Sequence, residues 1–316
     1  MSEALRTILV GVATIGEPEP QLLAAIELAK ASNATLHVVH AFEIPHTLHG
    51  YSTRRDLHDR FSDRYRAGVR DGLEERLAGL TTGCDVRYHA RAGVACDVLC
   101  ELAEKLPADL LVVGATRPGG LLRTLLGSSA EQVIRRARMP VLILREDLRR
   151  SPERVLITTD LSEDSGRVHD RGVEIIRQLL PDSFPEIRSL HVVWHDLAPP
   201  SPTSRSACEE TADRDLSEFL ARRPDAGLPA SRCVRIGNPA REIAAEVSGW
   251  GADLLVLGTH GRTGSSRLLL GSVAEATLRQ TRGNVLVLPG GHVRAANHAA
   301  LDALAANDHP VETARS

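Results

Sequence analysis

Aromatic side chains are scarce in this 316-residue chain: Phe, Trp and Tyr together make up 3% of it. Proteins that stack bases on aromatic platforms need more of them. There is no excess of positive charge either. Lys and Arg number 38 against 41 Asp and Glu, a formal net charge of −3, so neither nucleic acid nor an anionic membrane surface meets a basic field. No run of the sequence approaches the ~20 apolar residues of a membrane-spanning helix. The opening MSEALRTILVGV lacks the long apolar segment and cleavage site of a secretory signal. The cysteines (Cys84, Cys96, Cys100, Cys208, Cys233) are odd in number and show no CxxC spacing. That speaks against a disulfide framework and for a reduced, cytoplasmic setting.

What is present is a repeat. The segments DLLVVGATRPGGLLRTLLGSSAEQVIRR and DLLVLGTHGRTGSSRLLLGSVAEATLRQ lie near the ends of the two halves. Aligned without gaps, Ala108–Leu144 and Ala252–Leu288 are identical at just over half of their positions. The chain is therefore a tandem duplication, and its length suits two domains of ordinary size. Each half opens with an apolar run, Ile8–Val12 or Val155–Thr159, followed by helical spacing such as Leu22, Leu23, Ile26, Leu28 and Ala29. Further runs follow at Leu36–Val39 and Leu190–Trp194, at Asp109–Val113 and Asp253–Leu257, and at Val141–Leu144 and Val285–Leu288. Solidly aliphatic strands alternating with helices predict an α/β fold, with two tandem doubly wound parallel-sheet domains of Rossmann-like type. The domains are expected at 1–147 and 153–290, with 291–316 a flexible tail. The stripe Leu57, Phe61, Tyr65, Val69, Leu73, Leu77 predicts an amphipathic helix over roughly Thr53–Leu80. Arg145–Glu153 is read as the domain linker and Pro199–Ser206 as a mobile loop. The final strands are the candidates for packing the halves as a pseudo-dimer, since sheet edges seek cover.

In the second half Gly258 follows a buried strand, Gly261 and Gly264 come at three-residue intervals, and Gly271-Ser272 opens the next helix. Glycines admit a ligand close to the backbone. A helix N-terminus offers unpaired N–H groups and a positive dipole end, so the pattern suits phosphate. Helix capping is the competing reading of Ser272, which forms a candidate capping box with Glu275, as Ser128 does with Glu131. Neither GxxxxGK[ST] nor GxGxxG is present.

The spacing Gly258-x2-Gly261-x9-Gly271-Ser272 after a DLLVLG strand resembles the universal stress protein family. So do the opening VLITTDLSEDS of the second half and its Leu190-His191-Val192. The likeness covers both halves and implies the adenine nucleotide α-hydrolase-like variant of the fold. In the ATP-binding branch of that family an aspartate after the first strand holds the adenosine, and Asp160 matches it. The resemblance places Val192 beside the base and Leu257 and Gly258 along the nucleotide. It places Gly261, Arg262, Gly271, Ser272 and Val273 at the phosphates. Turn capping is the alternative reading of Asp160, and a solvated charge that of Arg262. The first half departs at two points: Ala13 stands for Asp160 and Arg117 for Gly261, so little or no ATP binding is expected there.

Three functions are open. The first is an ATP-binding stress-response regulator, with Mg²⁺ accompanying ATP in the second domain. The second is an enzyme, an ATPase or an adenylating relative. The third is an ATP-independent interaction module. The segment Thr159–Ser165 lacks the glycine pair of an adenylating SGGxDS-like loop. No catalytic set stands out, which leaves slow hydrolysis as the only turnover in view. His37, His40, His46, His49 and His58 cluster in sequence without a tetrahedral ligand spacing, so no metal site is assigned. His37 and His191 are taken as equivalent structural histidines, and Cys96 and Cys100 as thiols buried on one helix face. The expected partners are an adenine nucleotide and the other half of the same chain; pairing into a homodimer is left open.

Overall fold

Strands and helices alternate through each half. The first half runs β1 (Thr7–Val12), α1 (Pro20–Ser32), β2 (Thr35–Phe42), α2 (Arg55–Leu77), β3 (Val86–Ala92), α3 (Ala95–Lys105), β4 (Leu110–Gly114), α4 (Ser128–Arg136) and β5 (Val141–Leu144). The second repeats it as β6 (Arg154–Thr159), α5 (Glu163–Leu179), β7 (Glu186–Trp194), α6 (Pro202–Ala221), β8 (Ala230–Gly237), α7 (Pro239–Trp250), β9 (Leu254–Gly258), α8 (Ser272–Gln280) and β10 (Asn284–Leu288). The computed structural model describes residues 5–14, 16, 18–43, 55–115, 126–145, 152–194, 202–223, 227–259 and 270–290, with backbone alone along 55–62 and 202–204. The proposed tail and the histidines at 46 and 49 lie outside the described residues, as does the side chain of His58.

The ten strands of the described residues form one sheet in the order β3-β2-β1-β4-β5-β10-β9-β6-β7-β8. Pairing is parallel within each half. The halves meet where β10 runs antiparallel to β5, with Val285 opposite Ile143, Leu286 opposite Leu142 and Val287 opposite Val141. The terminal strands thus cover each other's edges, as their aliphatic sequences require. Side chains alternate between two continuous cores. Ile8, Val10 and Val12 join α1, α2 and α5 on one face. Leu9 joins α3, α4, α7 and α8 on the other.

Val69, Leu73 and Leu77 of α2 are buried as the stripe predicts, while Tyr65 lies at the margin against the Phe42 ring, 4.5 Å between centroids. Three expectations are corrected. Residues 202–206, read as loop, begin α6, since Pro202 occupies a first helical position, where its missing N–H costs nothing. The capping boxes do not form: Gly127 and Gly271 are the N-caps of α4 and α8, with no side-chain cap among the described residues. Ser128 and Ser272 already sit inside the helices, and Glu131 and Glu275 turn to arginines instead. Edge strands β3 and β8 carry no aliphatic run and so escape the sequence pattern, because VRYHARA and ASRCVRIG hold the charges that protect sheet edges.

Candidate functional site

Within the second half the strand order β8-β7-β6-β9-β10 reverses direction between β6 and β9. The helices that follow these two strands, α5 and α8, pack on opposite faces of the sheet, the topology in which a crevice forms at the strands' carboxyl ends. Asp160 directly follows β6, and Gly258 ends β9. The sheet therefore brings to one end both groups that the sequence singles out.

The turn carrying Asp160 is tightly built. Its Oδ1 accepts from Ser162 N at 3.0 Å and from Ser162 Oγ at 2.6 Å. Thr159 Oγ1 accepts from Leu161 N at 3.0 Å and lies 2.8 Å from Ser165 Oγ. Ser162 Oγ in turn caps α5 by accepting from Ser165 N. These bonds hold Leu161 at φ 65°, a left-handed conformation uncommon for a side chain of this size. The turn-capping reading of Asp160 is therefore realised, and it fixes the carboxylate in place. Beside it His191 Nδ1 bonds Thr159 O at 2.9 Å and ties β7 to the end of β6.

Strand register corrects the histidine pairing. Val10 and Ile157 both face the repeat-equivalent Val112 and Val256. Through that register the counterpart of His191 is His40, not His37. His40 Nδ1 bonds Val12 O just as His191 bonds Thr159 O. His37 instead stacks on His89, Nδ1 to Nε2 at 2.8 Å. Among the described residues no group of three or more His, Cys, Asp or Glu converges as a metal site.

On the β9 side, Thr259 joins three segments. Its N donates to Leu288 O, its carbonyl accepts from Gly271 N at 2.8 Å, and its Oγ1 accepts from Gly290 N at 2.9 Å. These bonds close the neck of the glycine loop. Gly261, Arg262 and Gly264 lie outside the described residues. Gly271 has φ −61°, so a left-handed backbone is not its reason. A Cβ there would stand 3.1 Å from Thr259 O, so close approach of two backbones is. Beyond the neck Ser272 is exposed and Val273 half-buried at the start of α8, and among the described residues no side chain caps this helix. That helix start fits a phosphate. Val192 is half-buried along β7, while the side chain of Leu257 is buried in the core. The sequence reading missed Thr259 and the Thr159–Ser162–Ser165 network. A hydroxyl at each strand end was the available signal.

The first half closes the corresponding crevice with its own side chains. Glu19 is buried, and its Oε1 accepts from Ala13 N at 2.9 Å, Thr14 N at 2.8 Å and Thr14 Oγ1 at 3.2 Å. Gln21 donates to the other oxygen of Glu19. Its amide lies over Gly114, 2.9 Å from where a Cβ would be. Arg117 lies outside the described residues.

The sequence profile of the universal stress protein family matches residues 4–145 and again 152–289. Universal stress protein Rv2005c of Mycobacterium tuberculosis is 31% identical over 199 residues, 57% of this chain and 61% of that protein. A universal stress protein of Mycolicibacterium smegmatis is 29% identical over 66% of this chain and 69% of its own length. The alignment with the first of these thus spans less than two thirds of the relative's length. Two solved structures share the fold over 96% of this chain and 98% of their own. They are the functionally unknown protein PA1789 from Pseudomonas aeruginosa PAO1 (TM-score 0.64, 19% identity) and a putative universal stress protein from P. aeruginosa UCBPP-PA14 (TM-score 0.63, 20% identity).

Proposed function

The chain belongs to the universal stress protein family, and from that premise we propose that it is a cytoplasmic regulatory protein that binds ATP in its second half. The observation that carries this reading is the asymmetry between two equivalent crevices. One holds a fixed carboxylate, Asp160, across from a helix start at Gly271–Val273 that no side chain caps among the described residues. The other has Ala13 and is filled by Glu19 and Gln21.

In this reading Asp160 accepts from ribose hydroxyls or the adenine amino group, and the β7 backbone at Val192 flanks the base. Leu257 and Gly258 offer main chain along the nucleotide. The phosphates lie against the N–H groups of Ser272 and Val273, where the helix dipole favours negative charge, with Gly261 and Arg262 closing from the loop. Mg²⁺ on the phosphate oxygens is the expected companion, offsetting charge that a single helix start cannot. The first half acts as a structural partner.

Titration with Mg-ATP tests the site. Asp160→Ala is expected to weaken binding about tenfold, the order of a lost charged hydrogen bond. Gly261→Arg, which installs the first half's residue, is expected to abolish binding at micromolar nucleotide. Unchanged affinity in both variants overturns the assignment.

A further inference from the structure

Two imidazoles meet beside the terminal strand of the first half. His37 of β2 is buried, His89 of β3 is half-buried, and Nδ1 of the first lies 2.8 Å from Nε2 of the second. A single proton fits between two ring nitrogens at that distance, donated by one ring to the lone pair of the other. When both rings are imidazolium, two N–H groups and two positive charges face each other, and the bond is lost.

Among the described residues, little nearby offsets a second charge. His37 stands opposite Leu9 and Arg87 in register, and His89 opposite Val39. The rings therefore share the face of Leu9 and Val39, where α3 covers β2 with Leu99, Leu102 and Ala103. The carboxylates of α3, at Asp97, Glu101 and Glu104, are exposed and paired with Arg136, Lys105 and Arg138. Its thiols, Cys96 and Cys100, are held neutral by burial. On β3, Arg87 adds a like charge, and Asp85 accepts from Thr35 Oγ1 at 2.8 Å and lies 4.0 Å from Arg87. Burial first, then His89 and Arg87, bring the pKa of His37 down to about 4, and Asp85 opposes them only in part.

The second half has a different device at the same place. Strand register makes Arg188 the counterpart of His37, and Cys233 and Arg235 the counterparts of His89 and Arg91. Ala252 N bonds Val247 O as Ala108 N bonds Ala103 O, so Glu246 on α7 corresponds to Leu102 on α3. Glu246, 2% exposed, accepts from Arg188 at 2.8 Å and from Arg235 at 2.7 Å. These charges are present and matched throughout the range in which histidine titrates. The first half keeps Arg91 but has an apolar residue for the carboxylate and an imidazole for the second arginine. Strands β3 and β8 both end the sheet and pair with one neighbour among the described residues. The two corners thus differ in these side chains rather than in topology.

We propose that this corner of the first half is an acid-operated latch: proton uptake by the His37–His89 pair breaks its hydrogen bond and frees β3 and α3, while the matching corner of the second half stays closed.

In the opened corner His37 takes its proton near pH 6.5, in the closed one near pH 4. Closure is therefore whole above pH 6.5 and weakens as pH falls. Between pH 7 and pH 5 the ratio of open to closed forms is expected to rise about twentyfold. Hydrogen exchange of the full-length protein at these two pH values, read by mass spectrometry and corrected for intrinsic exchange rates, tests this. Protection across 86–105 is expected to fall about twentyfold, and across 230–250 by less than about threefold. His169 lies on the opposite face, in α5 against Ser189, and its own titration is read at 163–179. The comparison of the two halves needs no variant. His37→Leu removes the titrating ring. His37→Arg combined with His89→Cys and Leu102→Glu gives Arg91 the partners that Arg235 has. Thermal unfolding at pH 7 verifies that each variant folds, and each is expected to protect 86–105 equally at the two pH values. Equal loss of protection in the two halves of the wild type, or a loss across 86–105 that survives these replacements, overturns the proposal.

Discussion

His37 shows how burial sets the behaviour of one residue. It is 1% exposed, and burial, with His89 and Arg87 nearby, lowers its pKa from 6.5 to about 4. The unfolded chain therefore binds a proton between those pH values that the folded chain refuses. Stability from this group is whole above pH 6.5 and falls as pH drops toward 4, a loss on the order of 3 kcal/mol. Urea unfolding between pH 7 and pH 4 is expected to show a steep acid limb in the wild type and a shallower one in His37→Leu. His169, also lowered by burial, keeps part of the slope. Equal slopes would refute the assignment. Burial acts on the thiols in the opposite sense, pushing Cys96 up and Cys100 up to about 12. Both are expected to resist iodoacetamide in the folded protein at pH 8, while the half-buried Cys208 reacts. Mass spectrometry of the native, alkylated chain reads this directly.

At the scale of elements, α4 and α8 meet across the pseudo-twofold axis. Arg135 bridges Glu131 and Glu275 at 3.1 and 3.0 Å, and Arg279 bridges Glu275 and Glu131 at 2.7 and 3.6 Å. Each residue has its repeat counterpart opposite, so one charge pattern duplicated closes on itself. Removing one arginine leaves two carboxylates sharing the other. Arg135→Ala is expected to cost about 1 kcal/mol, less in high salt, with a nonzero coupling to Glu275→Ala in a double-mutant cycle. Additivity would mean that the four residues do not act together. This ring was hidden in the sequence. Ser-x-x-Glu reads as a capping box, and only the fold shows that the glutamates face arginines of the other half. The same limit explains the missed edge strands. An edge is exposed, so its composition is polar, and the aliphatic signal that marks β1, β4, β6 and β9 fades at β3 and β8. The strand-end aspartate and glycines were legible because their reasons are local. Glu19 and Gln21 were not, because they reach the crevice only through the placement of α1.

For the whole molecule, the decisive contact is β5 against β10. It turns two five-stranded sheets into one of ten. The duplication and the aliphatic terminal strands make this pairing readable in the amino-acid sequence, since two equivalent open edges in one chain meet at high effective concentration. It follows that neither half is complete alone. Val285, Leu286 and Val287 are at most 1% exposed in the full chain. In a fragment spanning residues 152–290 the β10 edge is open, and its self-complementary strand can pair with a second copy about a twofold axis. Such a fragment is expected to sediment as a dimer at micromolar concentration. Leu286→Lys, which places a charge in the strand at that axis, is expected to return it to monomer, and adding a 5–145 fragment is expected to convert the homodimer to the native pair. A fragment that stays monomeric and folded would show that β10 needs no cover, and that the two halves are held together by the ion ring and the linker instead.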